Sequence, residues 1–230
     1  MIGVILLAGA IAMIAIAFRA WRSTQSATTH DAPVVMVDPK DLLFSLPTLS
    51  DGLPHGEKPE RRPADAFLLH EDDWRQVEFV GLVQQHDVDA ELGQLRSFIA
   101  AHRKGPGFTE VYVRRSRPEG LTPLGIEIGA LESILPPTAH RRTLLVGGAP
   151  WGSSVVNGYA VEIGRDAVLY VQVVGQRLAT MGLPLAWREG ASPQADVLLA
   201  TIGRRLQLRL VDWPAAGWVD FEPRGEASPH

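Results

Sequence analysis

The feature that most constrains this chain is its first eighteen residues, Met1–Phe18 (MIGVILLAGAIAMIAIAF), which include no charged side chain and no strongly polar one. At ~1.5 Å of rise per residue, a helix of that run is ~27 Å long, close to the ~30 Å hydrocarbon thickness of a bilayer. Ala20 and Trp21 extend it, and an indole suits the headgroup level because one side is apolar and the other can be wet. Residues 1–22 are therefore expected to form one transmembrane anchor. A cleaved signal peptide would need a basic stretch ahead of the apolar run, and only the α-amino group precedes it, so an uncleaved signal-anchor fits better. Arg19 and Arg22 flank the C-terminal end. By the preference of basic residues for the cytoplasmic side, they place the following domain inward, at a bacterial-type inner membrane, with a periplasmic domain as the alternative.

The character of the chain changes after the anchor. Pro33, Pro39, Pro47, Pro54, Pro59 and Pro63 punctuate residues 23–66, which removes backbone donors and disfavours any long helix. Two apolar patches interrupt this tether, 34–37 and 42–49. They are too hydrophobic for a solvated linker, so one or both are expected to dock on the domain. The domain itself is expected over residues 67–221, with residues 222–230 as a frayed tail.

The spacing predicts a helix over 87–104, where Val88, Leu92, Leu95, Ile99 and His102 form one stripe. Asp87, Asp89 and Glu91 complement the positive end of its dipole, and Gly105-Pro106 stops it. Strands are expected at 76–83, 108–115 and 142–146. A meander follows: 153–156, a hairpin turn at Asn157-Gly158, then 159–163 and 167–174. Alternation of Leu206, Leu208 and Leu210 marks another strand, and Ser192-Pro193 suggests a helix start before it. Val111-Tyr112-Val113 and Leu169-Tyr170-Val171 resemble each other, so a duplicated unit is an alternative to chance. The expected fold is α+β: a mixed, largely antiparallel sheet with two or three helices, preceded by one N-terminal transmembrane helix.

Composition excludes several function classes. The chain contains no Cys, which removes disulfides, thiolate metal sites, Fe–S clusters and thiol nucleophiles. Without its first 22 residues the chain loses two Arg and keeps 20 basic against 26 acidic side chains, a net of −6. That balance opposes nucleic-acid binding and favours a basic partner.

The motif-like stretches carry little chemistry. Gly147–Ser154 imitates a phosphate loop, but Ser153 stands where the Lys should be and Pro150 removes a donor. Asp87-x-Asp89-x-Glu91 opens like a calcium loop, yet Leu92 and Phe98 occupy the positions of the turn glycine and the bidentate Glu. No cofactor, metal or catalytic set is expected from these patterns. His70-Glu71-Asp72-Asp73-Trp74-Arg75 is the most unusual stretch. One reading makes it a solvated acidic turn with Trp74 packed beneath the next strand. The other makes Glu71, Asp72, Asp73, Trp74 and Arg75 a partner-binding edge, since Trp beside charged groups often anchors interfaces. The expected function is thus a membrane-anchored, non-enzymatic protein-binding module of the bacterial envelope, of the assembly-factor or toxin-immunity type. The alternative is a tethered hydrolase using Ser153, His140 and the acids Glu71 to Asp73.

Overall fold

A computed structural model of the chain describes residues 42–115, 120–147, 152–164, 167–189 and 192–221. The expected anchor, Arg19 and Arg22, the 34–37 patch and the tail 222–230 lie outside the described residues. In chain order the strands are β1 (Thr48–Ser50), β2 (Gly56–Glu57), β3 (Phe67–Leu69), β4 (Val77–Gly81), β5 (Arg103–Lys104), β6 (Gly107–Phe108) and β7 (Tyr112–Arg114). They continue with β8 (Arg141–Val146), β9 (Ser153–Glu162), β10 (Val168–Val174), β11 (Arg177–Leu183), β12 (Leu208–Asp212) and β13 (Gly217–Trp218). The α-helices are α1 (Gln85–His102), α2 (Ile128–Glu132) and α3 (Pro193–Leu206).

The main sheet runs β13-β12-β4-β11-β10-β9-β8-β3, with β2 added beside β9. Every pairing in it is antiparallel except β3 with β8. Two small ladders stand apart, parallel β1–β7 and the β5–β6 hairpin. The fold is therefore α+β, with a mixed, mostly antiparallel sheet and three helices among the described residues. Among those residues no helix is long and apolar enough to cross a membrane.

Alternation along β4 decides which helix covers which face. Phe79 and Val77 point to the side covered by α3, where Ala195, Leu199, Ile202 and Leu206 form the buried stripe. Glu78 and Val80 point to the opposite side, where Val88, Leu92 and Leu95 of α1 meet Val80, Val211 and Trp213. Each fully buried Leu in such a stripe contributes ~1.5–3 kcal/mol. The start of α3 has the expected chemistry: Ser192 caps it by accepting the Ala195 N–H at 3.2 Å, and Pro193 occupies the first turn.

Several boundaries differ from the sequence reading, each for a local reason. Helix α1 ends at His102, because Arg103 and Lys104 pair across Gly105 (φ +59°) with Gly107 and Phe108. The expected strand 108–115 is thereby split, and β7 leaves the main sheet to pair with β1. Asn157-Gly158 makes no hairpin. Asn157 adopts φ +55°, but β9 runs on through it as a wide bulge: β8 advances from Thr143 to Leu145 while β9 passes from Tyr159 to Ser154. Asn and Gly supply the left-handed geometry of either device, and an existing partner on each side of β9 selects the bulge. The two-residue hairpin turn lies instead at Gly175-Gln176, which creates β11, a strand the sequence reading left out. The similar triplets at 111–113 and 169–171 fall in different ladders, β7 in the small one and β10 in the centre of the main sheet, so they are not equivalent parts of a repeat.

The folded unit also starts earlier than residue 67. Leu43 already belongs to it, Phe44 is bonded to Phe108, and β1 and β2 come from the expected tether. The apolar patch 42–49 is thus part of the structure through backbone pairing at Phe44, Thr48 and Leu49, while the side chains of Leu42, Leu43 and Phe44 stay exposed.

Gly182 is the tightest approach in the sheet. A Cβ there would collide with the Tyr170 hydroxyl and the Val77 carbonyl oxygen, both in the interior. Gly182→Ala is expected to destabilise the domain by about 1–3 kcal/mol through overpacking, measurable as a lowered urea midpoint with unchanged m-value.

Candidate functional site

The 70–75 stretch is divided between surface and core. Glu71–Asp73 form a single 3-10 turn, capped by His70, whose Nδ1 accepts the Asp72 N–H at 3.2 Å. Glu71 is exposed, and Asp72 and Asp73 are half-buried. Burial pushes the Asp73 carboxyl above its ordinary range, with Asp72 adding to the effect; His70 and the Leu185 N–H, which the carboxylate accepts, oppose it. Trp74 is only 3% exposed and stacks on Tyr170 with ring centroids 5.2 Å apart. Arg75 takes φ +58° and turns inward. The acids Glu71, Asp72 and Asp73 are therefore the part of the stretch that a partner could reach, while Trp74 and Arg75 build the floor beneath them.

Arg75 leads into the most concentrated polar chemistry of the fold. Its Nε donates to Glu78 Oε2 at 2.7 Å, and Trp213 Nε1 donates to Glu78 Oε1 at 3.0 Å. Arg114 Nη1 lies 3.7 Å from the same Oε1. The Arg114 guanidinium also donates to Thr48 Oγ1 at 3.0 Å and to the Arg75 carbonyl at 2.9 Å, and lies 4.5 Å over the Trp213 ring. Gln76 Nε2 donates to the Thr48 carbonyl at 3.0 Å, and Tyr170 Oη accepts the Arg75 N–H at 2.9 Å. The Glu78 and Arg114 side chains are each 5% exposed.

Burial pulls the Arg114 pKa down to about 10, partly offset by Glu78, which still leaves the group charged at neutral pH. Burial acts the same way on Arg75, but the charge and hydrogen bond of Glu78 outweigh it and raise its pKa. Burial also raises the Tyr170 hydroxyl, so this phenol stays neutral. The space among these groups is about 20 Å³, room for one water. With its donors and acceptors turned on one another, the cluster is built to clamp segments together, and it leaves no volume for a substrate.

The residues of the hydrolase alternative are not assembled. Ser153 pairs with Val146 at one end of β8, whereas His140 precedes Arg141 at the other. Six residues of extended chain put them about 15–20 Å apart. Among the described residues no group of three His, Asp or Glu side chains could hold a metal ion. Asp89, from the calcium-like pattern, instead accepts the Trp218 indole N–H at 2.8 Å.

A second feature is an apolar groove of about 620 Å³ between α3 and the β12–β13 edge, lined by Val197, Leu199, Leu208, Val219 and Phe221, with Arg204 at its rim. The sequence reading did not single it out. Its signal was Val197, which breaks the polar face of α3 and stands 67% exposed. No family model, curated protein or solved structure matches this chain.

Two outcomes follow from the clamp and the turn. Glu78→Gln leaves two buried guanidinium groups without their counter-charge and is expected to cost about 3–5 kcal/mol. Thr48→Val removes one acceptor of Arg114 and should cost about 1–3 kcal/mol. Urea unfolding followed by tryptophan fluorescence checks the order; a Glu78→Gln cost below that of Thr48→Val would mean that water already solvates the cluster. For Asp73 the sign is set by its raised pKa. The fold favours the protonated carboxyl, so the wild type loses stability as pH rises through the folded value. Asp73→Asn does not titrate and keeps the acceptor for Leu185. Its melting temperature relative to wild type should therefore rise between about pH 3 and pH 7.

Proposed function

We propose that this chain is a single-pass, membrane-anchored, non-enzymatic protein-binding module of the bacterial envelope, of the assembly-factor or toxin-immunity type. The observation that carries the reading is the uninterrupted apolar run Met1–Phe18 ahead of a folded unit that starts at Leu43. Residues 1–22 serve as the anchor. Arg19 and Arg22 favour a domain on the cytoplasmic face of the inner membrane. The partner is a protein with a basic surface, and Glu71, Asp72 and Asp73 are the groups proposed to meet it, with the buried Trp74 and Arg75 fixing their turn from below.

A tethered hydrolase is the alternative. In its favour, Ser153 lies at the same end of the sheet as the acidic turn, since Leu69 and Ser153 both pair with Val146. Against it, His140 lies at the far end of β8. A serine without a nearby base is a weak nucleophile.

Two experiments separate the readings. Alkaline phosphatase and a cytoplasm-restricted fluorescent protein, each fused after His230, report the side of the membrane; fluorescence without phosphatase activity is expected, and the reverse would overturn the inward orientation. In the second, full-length protein captures partners from detergent extracts, comparing wild type with the Glu71→Gln/Asp72→Asn double variant and with Ser153→Ala. Loss of a specifically captured basic protein in the double variant alone supports the binding edge. Retention by the double variant removes that edge from the proposal, and a cellular phenotype abolished by Ser153→Ala with folding intact favours the hydrolase.

A further inference from the structure

The groove beside α3 has a dry bottom and an open lip. Leu208, Leu210 and Val219 at its bottom are buried, whereas Val197 stands 67% exposed and Phe221 is half-buried. Four α3 residues line it on one helix face: Asp196, Val197, Ala200 and Arg204. At 3.6 residues per turn they fall within an arc of about 100°. The core stripe of the same helix, Ala195, Leu199, Ile202 and Leu206, is a separate face. Helix α3 therefore presents a second, uncovered stripe along the groove. An exposed valine beside a half-buried phenylalanine on rigid elements is a persistent cost in water unless something covers them.

Charge indicates what covers them. Asp196 and Arg204 stand at opposite ends of the stripe, about 12 Å apart along the axis, with Ala200 midway between them. Asp196 is half-buried and Arg204 exposed, and among the described residues neither side chain has an ion-pair partner. Arg209, which also lines the groove, is by contrast paired with Asp220 at 3.1 Å. A minus–small–plus pattern with equal four-residue steps is its own complement when reversed. A two-fold axis at Ala200 sets α3 antiparallel against the same helix of a second copy. Asp196 then lies opposite the partner's Arg204, and Arg204 opposite the partner's Asp196. The short Ala200 side chain allows close approach at the axis, and Val197 comes level with the partner's Gly203, which adds no side chain. A single-headed anionic amphiphile would answer Arg204 but leave Asp196 desolvated and unpaired, which is costly. A second copy answers both charges.

We propose that the chain forms a two-fold homodimer in which α3 packs antiparallel on α3 of a second copy, with Ala200 at the axis and reciprocal Asp196–Arg204 pairs at both ends. This goes beyond the binding reading above and is independent of the anchor, because it uses only residues of the folded unit. Burial of Val197 and Phe221 drives the contact. The two charge pairs fix its register and its antiparallel sense, since a parallel arrangement would set like charges together.

Because the chain contains no cysteine, a single introduced thiol reports one position. Full-length Ala200→Cys and Gln176→Cys proteins in detergent are treated with copper phenanthroline as oxidant. Residue 176 lies in the exposed β10–β11 turn. The expected result is a disulfide-linked dimer from Ala200→Cys, where the axis brings the two Cα atoms within bridging distance, and little from Gln176→Cys. Adding Asp196→Arg or Arg204→Asp to Ala200→Cys sets like charges opposite each other at both ends. Each is expected to lower cross-linking at least about tenfold. In a mixture of the two charge variants, one chain carries Arg at both positions and the other Asp at both, so opposite charges face each other again. Cross-linking between the two differently tagged chains should then return, which also shows that both variants fold. Equal cross-linking at residues 176 and 200 overturns the proposal, as do charge variants that cross-link like the Ala200→Cys parent, or a mixture that fails to recover. Absence of a link at residue 200 overturns it too: light scattering then tells association elsewhere on the chain from a monomer whose groove takes another occupant.

Discussion

The fold depends on one buried carboxylate. Glu78 lies on the α1-facing side of β4, a position that alternation reserves for an interior residue, and three groups converge on its carboxylate there. Arg75 is three residues away, Arg114 comes from β7 and Trp213 from the end of β12. Only the Arg75 pair is available to a local segment; the Arg114 and Trp213 contacts need distant strands in place. Taking one charge out of water costs several kcal/mol, so the cluster is favourable only when all partners arrive together. It therefore adds cooperativity and specificity more than net stability. It also explains why the parallel β1–β7 ladder, otherwise only three residues per strand, holds: Thr48 is bonded to Arg114 and Gln76 as well as to the β7 backbone.

The parts legible in the sequence were those encoded by local periodicity. The α1 stripe, the Ser192-Pro193 start of α3 and the strand over 142–146 each needed only neighbours in the chain. The parts that were not legible depend on separation. Glu78, Arg114, Thr48 and Trp213 span 165 positions and share no spacing rule, so nothing in the sequence identifies them as one site. Asn157-Gly158 shows the same limit at short range. Its residues specify a backbone conformation, and whether that becomes a turn or a bulge is decided by strands that pair with both halves of β9. Trp74 shows it for side chains: an indole next to four charged groups reads equally as an interface anchor or as a core residue, and the Tyr170 ring supplied by β10 decides for the core.

The clamp has a consequence for how force and position pass along the chain. Pairing of Phe44 with Phe108 and of β1 with β7 draws residues 44–50 into the folded unit, well ahead of residue 67. Thr48 thus does more than fill a ladder position. By tying the entry segment to Arg114, and through Arg114 to Glu78, it couples the point where the chain enters the domain to the centre of the sheet. A pull on residue 43 would be resisted first by the Phe44 and Thr48 hydrogen bonds and then by a buried ion cluster, whose rupture exposes uncompensated charge. Weakening that cluster should therefore loosen the entry segment before the α3 side of the sheet, whose core of Leu169, Met181, Leu199 and Ile202 shares no polar group with it.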